Sequence, residues 1–166
     1  AIDVGDSFLV DILLINIGAL IGFLLFNYPK GKIFMGDGGA YFIGFIIAES
    51  AILLYERNYQ LISSFYILAT LIYPVWEVLF SIYRRVVINK TSPFHPDKAH
   101  LHTLINRRIT KSNHKTSLFI WIANIPFLLI AISFYNSKFI LIGVCALFAT
   151  LYVIAYINLG KRRKRV

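Results

Sequence analysis

Two polar segments interrupt an otherwise apolar chain, and both carry residue types that can bind phosphate or a metal ion. The first is 33–40 (IFMGDGGA), in which Asp37 stands between glycines. The second is 93–102 (PFHPDKAHLH), which contains His95, His100 and His102. The membrane topology that the charges predict puts both segments on the same side of the membrane. This favours an active site that opens on that side.

Asp37 lies where a helix is expected to begin. Gly36 precedes it and Gly38 follows it, so the backbone is open enough for a phosphate or a metal ion to approach. The alternative is that Asp37 only caps the helix, which is worth about 1 kcal/mol. The two roles are compatible, because a single carboxylate oxygen is sufficient for the cap.

The second segment belongs to a polar loop, 84–116, that holds all four histidines of the chain. Spacing i,i+2 puts His100 and His102 on one side of an extended segment but on different sides of a helix. Pro96 and Asp97 suit a helix start, and the apolar residues that follow predict an interfacial amphipathic helix with His100 and Arg107 beside its apolar stripe. Zinc ligands are too few here, so binding of an anionic phosphate group is favoured.

The rest of the chain predicts an all-α, polytopic integral membrane protein. Hydrophobic residues make up 58% of the sequence and charged residues 15%, in long runs rather than short stripes. A membrane-crossing helix needs about 20 mostly apolar residues. We therefore predict one membrane domain over 1–166 with about five spans, at 7–26, 38–55, 60–83, 117–135 and 139–159.

The positive charges predict the orientation. Of the 17 Lys and Arg residues, all but Arg57 and Lys138 fall between spans one and two, in loop 84–116, or at the C-terminal end. Cytoplasmic loops retain positive charge, so we expect loop 84–116 and the C-terminal end to be cytoplasmic. The net charge of +9 then follows from topology and contact with anionic membrane lipids, and nucleic acid is not an expected partner.

Small and acidic residues within the spans suggest helix contacts. Gly18 and Gly22 form one GxxxG pair, and small residues recur at every fourth position from Gly36, so neighbouring helices could approach there. Glu49 and Glu77 lie inside predicted spans, Glu77 close behind a kink expected at Pro74. Each acidic residue could relay a proton or accept hydrogen bonds from an adjacent helix.

The segments FMGDGGAYFIGF (34–45) and HPDKAHLHTLI (95–105) resemble the C-terminal signature of the polyprenyl-phosphate N-acetylhexosamine-1-phosphate transferases of glycosyltransferase family 4. They are most similar to the branch that makes undecaprenyl-diphosphate-linked GlcNAc for O-antigen (lipopolysaccharide), enterobacterial common antigen or cell-wall teichoic acid. The resemblance implies a multi-pass enzyme of the bacterial plasma membrane with cytoplasmic active-site loops. It leaves a homodimer open.

The implied reaction transfers a phosphosugar. The phosphate of undecaprenyl phosphate attacks the β-phosphorus of a UDP-N-acetylhexosamine, which releases UMP. The resemblance implies Mg²⁺ (or Mn²⁺) at Asp37 and catalytic roles for Asp37, His100 and His102. It also implies substrate contacts from the glycines beside Asp37 and from basic residues around the histidines: Gly36, Gly38, Lys98 and Arg107.

Two departures from the family pattern bear on this reading. Thr103 stands where the family loop often has a further histidine. The aspartate-rich motif and the Asn/Asp motif of the family are not in this sequence, so we expect the chain to be the C-terminal half of a longer enzyme and inactive alone. The alternatives are a non-catalytic membrane module that binds anionic lipid or partner helices, and a transporter subunit that uses Glu49 and Glu77.

Overall fold

Helices make up all the regular structure of the described chain. The computed structural model describes residue 1, residues 5–92 and residues 99–161. In chain order the helices are α1 (Ser7–Asn27), α2 (Gly36–Asn58), α3 (Ser64–Thr70), α4 (Ile72–Tyr83), α5 (Leu101–Ile105), α6 (Asn113–Ser133) and α7 (Lys138–Lys161). Single π-helical turns, Arg84–Ile88 and Asn106–Thr110, extend α4 and α5. No strand occurs in these ranges, which confirms the all-α prediction.

Four helices are long and apolar enough to cross a membrane. They are α1, α2, α6 and Lys138–Gly160 of α7, and each agrees with a predicted span to within a few residues. The third predicted span, 60–83, is a pair of helices, Ser64–Thr70 and Ile72–Ile88, that meet at a bend of 80°. Counting the bent pair as one span gives five, so the predicted polytopic membrane fold is confirmed.

Pro74 explains where the third span breaks. We expected a kink at Pro74, but the helices separate at Leu71, and Pro74 is the third residue of α4. In the first turn the missing N–H of proline costs nothing, whereas its ring clashes with the carbonyl four residues earlier. That carbonyl belongs to Thr70, the last residue of α3. The proline thus ends the preceding helix rather than bending its own.

The described contacts divide the chain into two compact units, Ala1–Ile67 and Leu68–Val166. In the first unit, a short connection joins α1 to α2. Asp6 accepts a 3.2 Å hydrogen bond from the Leu9 N–H and so caps α1. Its other carboxylate oxygen lies 2.9 Å from Nε of Arg57, in the last turn of α2. Because the start of α1 meets the end of α2, the two helices run antiparallel.

The predicted contacts through small residues are wrong for the described part of this unit. A Cβ placed on Gly18, Gly22 or Gly44 would meet no heavy atom within 4 Å. Glu49 is exposed as well. The small residues do lie in helices, but no described helix covers the face on which they lie.

The core of the second unit forms around α5. Buried apolar residues from α4, α5 and α7 make one cluster: Ile72, Leu101, Ile105, Phe148, Tyr152 and Leu159. Partly buried Leu104 lies against the same cluster. The apolar stripe predicted for an interfacial helix therefore exists, but it packs against protein. Burial inside the protein removes the same apolar surface from water that a lipid contact would have removed.

Candidate functional site

The helix that carries the histidine motif begins one residue after His100. His100 has extended backbone angles (φ −72°, ψ 151°) and occupies the N-cap position of α5. The start predicted at Pro96 and Asp97 lies outside the described residues, but Ala99 and His100 are not helical. The helix that bears the apolar stripe thus begins at Leu101.

The side chain of Glu77 contacts the first residues of α5 and fixes where this helix begins. Its Oε1 accepts a 3.0 Å hydrogen bond from the Leu101 N–H and lies 3.0 Å from Nδ1 of His100. Tyr152 of α7 donates a 2.8 Å hydrogen bond to Oε2. Glu77 is buried, so these three partners replace the water that its carboxylate would otherwise bind.

His100 and His102 stack on each other. Their ring centroids are 5.4 Å apart and their planes differ by 15°. The i,i+2 rule for an ideal helix would separate them, but only His102 is helical, so the extended backbone at His100 turns its ring back over His102. The sequence left both arrangements open, and the rings share one side because His100 occupies the extended N-cap position.

A polar cavity of about 660 Å³ opens beside His102. Most of its lining comes from α5, the π-helical turn that follows α5, and the first turns of α6. The lining combines polar and aromatic groups: Tyr73, His102, Thr103, Asn106, Arg107, Asn113, Thr116, Ser117, Ile120 and Trp121. Arg107 and His102, both predicted from the sequence, share this cavity. The volume falls within the range of small-molecule sites.

The turn between α5 and α6 positions several residues that line the cavity. Lys111 adopts a left-handed conformation (φ 53°), which reverses the chain after the π-helical turn. Nδ2 of Asn106 donates a 2.6 Å hydrogen bond to Oδ1 of Asn113, and the Thr116 hydroxyl donates a 2.9 Å bond to the Ser112 carbonyl. Several of the polar side chains of the cavity are therefore tied to one another before any ligand binds.

A smaller apolar cavity of about 250 Å³ adjoins the polar one. Tyr73 and Ile120 line both cavities. The other walls come from α5, α6 and α7 and are almost entirely hydrocarbon, with Phe119, Phe127 and Phe148 among them. A polar space and an apolar space with a shared wall suit a ligand that has a charged head and a hydrocarbon tail.

In the first unit, Asp37 is the second residue of α2. Met35 occupies the N-cap position, and no side chain caps the helix, so the interpretation of Asp37 as an N-cap is wrong. Its carboxylate is exposed in the first turn, where it interacts favourably with the N-terminal end of the helix dipole. Among the described residues, Asp37 makes no hydrogen bond or ion pair.

The glycines around Asp37 differ in what they allow. Gly36 has φ +71°, a conformation that suits glycine and strains other residues. A Cβ on Gly38 would meet nothing within 4 Å, whereas a Cβ on Gly39 would lie 2.7 Å from Cγ of Met35. The backbone at Gly38 is thus open to a ligand, as the sequence suggested.

The described ranges contain no group of three or more His, Cys, Asp or Glu side chains able to hold a metal ion. A magnesium ion does not require such a group, since it is commonly bound by one or two carboxylates, substrate phosphates and water. An exposed carboxylate with no protein partner fits that donor set. Asp37 is compatible with the predicted metal role.

Comparison with known proteins gives the family. Residues 2–55 match the family described as Glycosyl transferase family 4. Over its first third the chain is thus similar to glycosyl transferase family 4. The matched segment includes Asp37 and its glycines, so the resemblance predicted from the first motif is confirmed.

Curated relatives agree with this family. An undecaprenyl-phosphate alpha-N-acetylglucosaminyl 1-phosphate transferase of Thermotoga maritima is 31% identical over 138 residues, 82% of this chain and 45% of that protein. A probable undecaprenyl-phosphate N-acetylglucosaminyl 1-phosphate transferase of Bacillus subtilis is 33% identical, over 61% of this chain and 28% of that protein. A decaprenyl-phosphate N-acetylglucosaminephosphotransferase of Mycobacterium tuberculosis is 31% identical, over 73% of this chain and 33% of that protein.

These alignments span less than half of each relative. No solved structure matches the chain. The names of these relatives describe phosphotransferases that act on a polyprenyl phosphate.

The structure places the predicted site residues in two groups. His100, His102 and Arg107 lie together in the second unit, and Asp37, Gly36 and Gly38 lie together in the first. Lys98 and His95 fall outside the described residues. Thr103, at the position where the family often has histidine, lines the polar cavity and offers a hydroxyl there.

Sequence reasoning did not assign Glu77 or Tyr152 to the site. The available signal was the acidic residue within a span, because such residues commonly face protein and mark functional positions. The alternative of hydrogen bonding to an adjacent helix is confirmed for Glu77. Its contact with His100 had no sequence signal, since the two are separated by a loop.

Proposed function

We propose that this chain forms part of a membrane transferase that moves N-acetylhexosamine 1-phosphate from a UDP-sugar to undecaprenyl phosphate, and so initiates a lipid-linked glycan of the bacterial cell envelope. The observation that carries the proposal is the pair of adjoining cavities, one polar with Arg107 and His102 and one apolar, which share Tyr73 and Ile120. The names of the relatives, which act on undecaprenyl or decaprenyl phosphate, support the lipid acceptor.

Each group has a chemical role in this proposal. Arg107 and His102 bind the phosphate groups of the nucleotide sugar, since a guanidinium and an imidazole both donate charge-assisted hydrogen bonds to phosphate oxygens. The apolar cavity receives the first isoprene units of the acceptor. Asp37 is proposed to hold Mg²⁺, which neutralises crowded phosphate charge when it is bound.

The proposed setting follows from the positive charges. We place the protein in the bacterial plasma membrane with loop 84–116 on the cytoplasmic side, where UDP-sugars are made. The transporter alternative is less well supported, because the carboxylate of Glu77 is occupied by three hydrogen-bonding partners rather than lining an open path.

The test is a chimera, because the chain spans less than half of its relatives. The aligned 138 residues would replace their counterpart in the Thermotoga maritima relative. Membranes that contain the chimera would be supplied with UDP-GlcNAc labelled at the β-phosphate, and with undecaprenyl phosphate. We expect label in the lipid and release of UMP.

Matched variants locate the nucleotide site. Arg107→Ala should lower transfer by at least about 10-fold, as expected for loss of a charge-assisted hydrogen bond. Lys115→Ala removes a positive charge from the same loop at an exposed residue that does not line the cavity, and should have little effect. A folded chimera without transfer would reject the function, and equal activity of both variants would reject this cavity as the nucleotide site.

A further inference from the structure

We propose that Glu77 is a positioning residue for His100. Neither the motifs nor the relatives assign it a role. It is 9% exposed, and it contacts three elements at once: Leu101 at the start of α5, the preceding loop through His100, and α7 through Tyr152. The inference rests on the proposed function for its consequence, but the geometry stands by itself.

The hydrogen-bond donors and acceptors around Glu77 determine how His100 is held. An ionised carboxylate only accepts hydrogen bonds, and both the Leu101 N–H and the Tyr152 hydroxyl donate to it. The 3.0 Å contact between Oε1 and Nδ1 of His100 then requires a proton on Nδ1. This contact fixes both the tautomer and the orientation of the His100 ring.

Glu77 fixes both the ring and the backbone that carries it. The same oxygen that receives the imidazole also receives the Leu101 N–H, so the side chain cannot turn away without loss of the helix start. His102 stacks on the held ring and lines the polar cavity. The Glu77–His100–His102 series thus runs from the buried core to the proposed phosphate site.

The carboxylate supports His100 electrostatically as well. A hydrogen bond to an ionised acceptor is stronger than one between neutral groups, so the carboxylate holds the ring more firmly than a neutral side chain would. Glu77 therefore acts through His100 and does not touch the substrate. Carboxylate–histidine pairs of this kind orient the imidazole in many other sites.

Glu77→Gln separates this role from a purely structural one. The amide oxygen of Gln can accept from Leu101 and His100, and its amide nitrogen can donate to the Tyr152 oxygen. All three hydrogen bonds can persist, so only the charge is lost. We expect nearly normal folding and a fall in transfer of about 10-fold, within the range measured for residues in contact.

A double-variant cycle shows whether the effect passes through His100. In a His100→Ala background, Glu77→Gln should cause little further loss. Effects that multiply independently would overturn the proposal. Ser81→Ala is the matched control, because it removes a buried hydrogen bond to Arg84 near Glu77 on the same helix without contact to His100. Its effect should remain independent of His100.

Nitrogen NMR tests which ring nitrogen of His100 carries the proton, and it does not depend on transferase activity. In protein labelled with ¹⁵N-histidine, the signals of His100 are identified by their loss in His100→Ala. We expect a protonated Nδ1 in the wild type. An unprotonated Nδ1 would overturn the positioning role. A protonated Nδ1 in a protein, or chimera, that shows no transfer would support the positioning of His100 while rejecting the proposed function.

Discussion

Tyr152 and Glu77 are 75 residues apart in the sequence, yet the tyrosine hydroxyl donates a 2.8 Å hydrogen bond to Oε2 of the glutamate. This bond joins α7 to α4 directly beneath the start of α5. Both side chains are buried, at 4% and 9% exposure, so no water competes for the bond. It therefore helps to fix the Glu77 side chain, which contacts His100.

Tyr152→Phe should lower the free energy of unfolding by about 1–3 kcal/mol, because it leaves a buried carboxylate oxygen without its donor. Reversible unfolding in mixed micelles measures the change. Tyr41→Phe is the control, since Tyr41 is exposed and should change stability little. Equal stability of the two variants would show that the hydrogen bond contributes nothing.

Asp37→Asn tests the metal role. Asp37 is not the N-cap, so the substitution removes only its interaction with the helix dipole, at most about 1 kcal/mol. Without the charge that would hold Mg²⁺, transfer by the chimera should fall at least about 100-fold, on the order of 3 kcal/mol in the barrier. Asp11→Asn is the control on α1. Near-normal transfer by Asp37→Asn would withdraw Asp37 as the metal ligand.

Gly36→Ala and Gly38→Ala should separate conformational from ligand-binding roles. Gly36→Ala should destabilise the protein by about 1–2 kcal/mol, because its φ of +71° strains a residue with a Cβ. Gly38→Ala should leave stability unchanged or raise it by up to about 1 kcal/mol, as alanine favours helix.

If a phosphate approaches the backbone at Gly38, the added methyl group should nevertheless reduce transfer by about 10-fold or more. Thermal unfolding and the labelled-lipid assay give the two readouts. Full activity of Gly38→Ala would show that no substrate comes close to this backbone.

The topology predicts opposite exposure of Asn89 and Asn136. Single cysteines at these exposed positions, in a Cys145→Ala background, should be labelled by a membrane-impermeant thiol reagent from opposite sides of the membrane. Intact and opened vesicles distinguish the two sides. Labelling of both cysteines from the same side would contradict the five-span topology.

The spans could be predicted because a long apolar run has few alternatives in a membrane. The break at Leu71 was misplaced by three residues, since the effect of Pro74 falls on the carbonyl of Thr70. The contacts expected for Gly18 and Gly44 are not made among the described residues. Spacing identifies a face of a helix, but not the element that covers it.

The site was predictable where its residues lie in continuous motifs. His102 and Arg107 share one cavity as expected. Glu77 and Trp121 come from separate helices, and only the folded arrangement of α4, α5 and α6 brings them to the same region. The stacking of His100 on His102 depends on the extended backbone at His100, which the helix predicted from the sequence did not include.

The shared wall of the two cavities constrains how such a protein could diverge. A change at Tyr73 or Ile120 reshapes both spaces at once. Under the proposed function, a lineage that adapts to a different sugar nucleotide through these positions would also alter its fit to the lipid chain. Trp121 and Arg107 line only the polar cavity, so under the proposed function a change at either position alters donor preference while acceptor preference is kept.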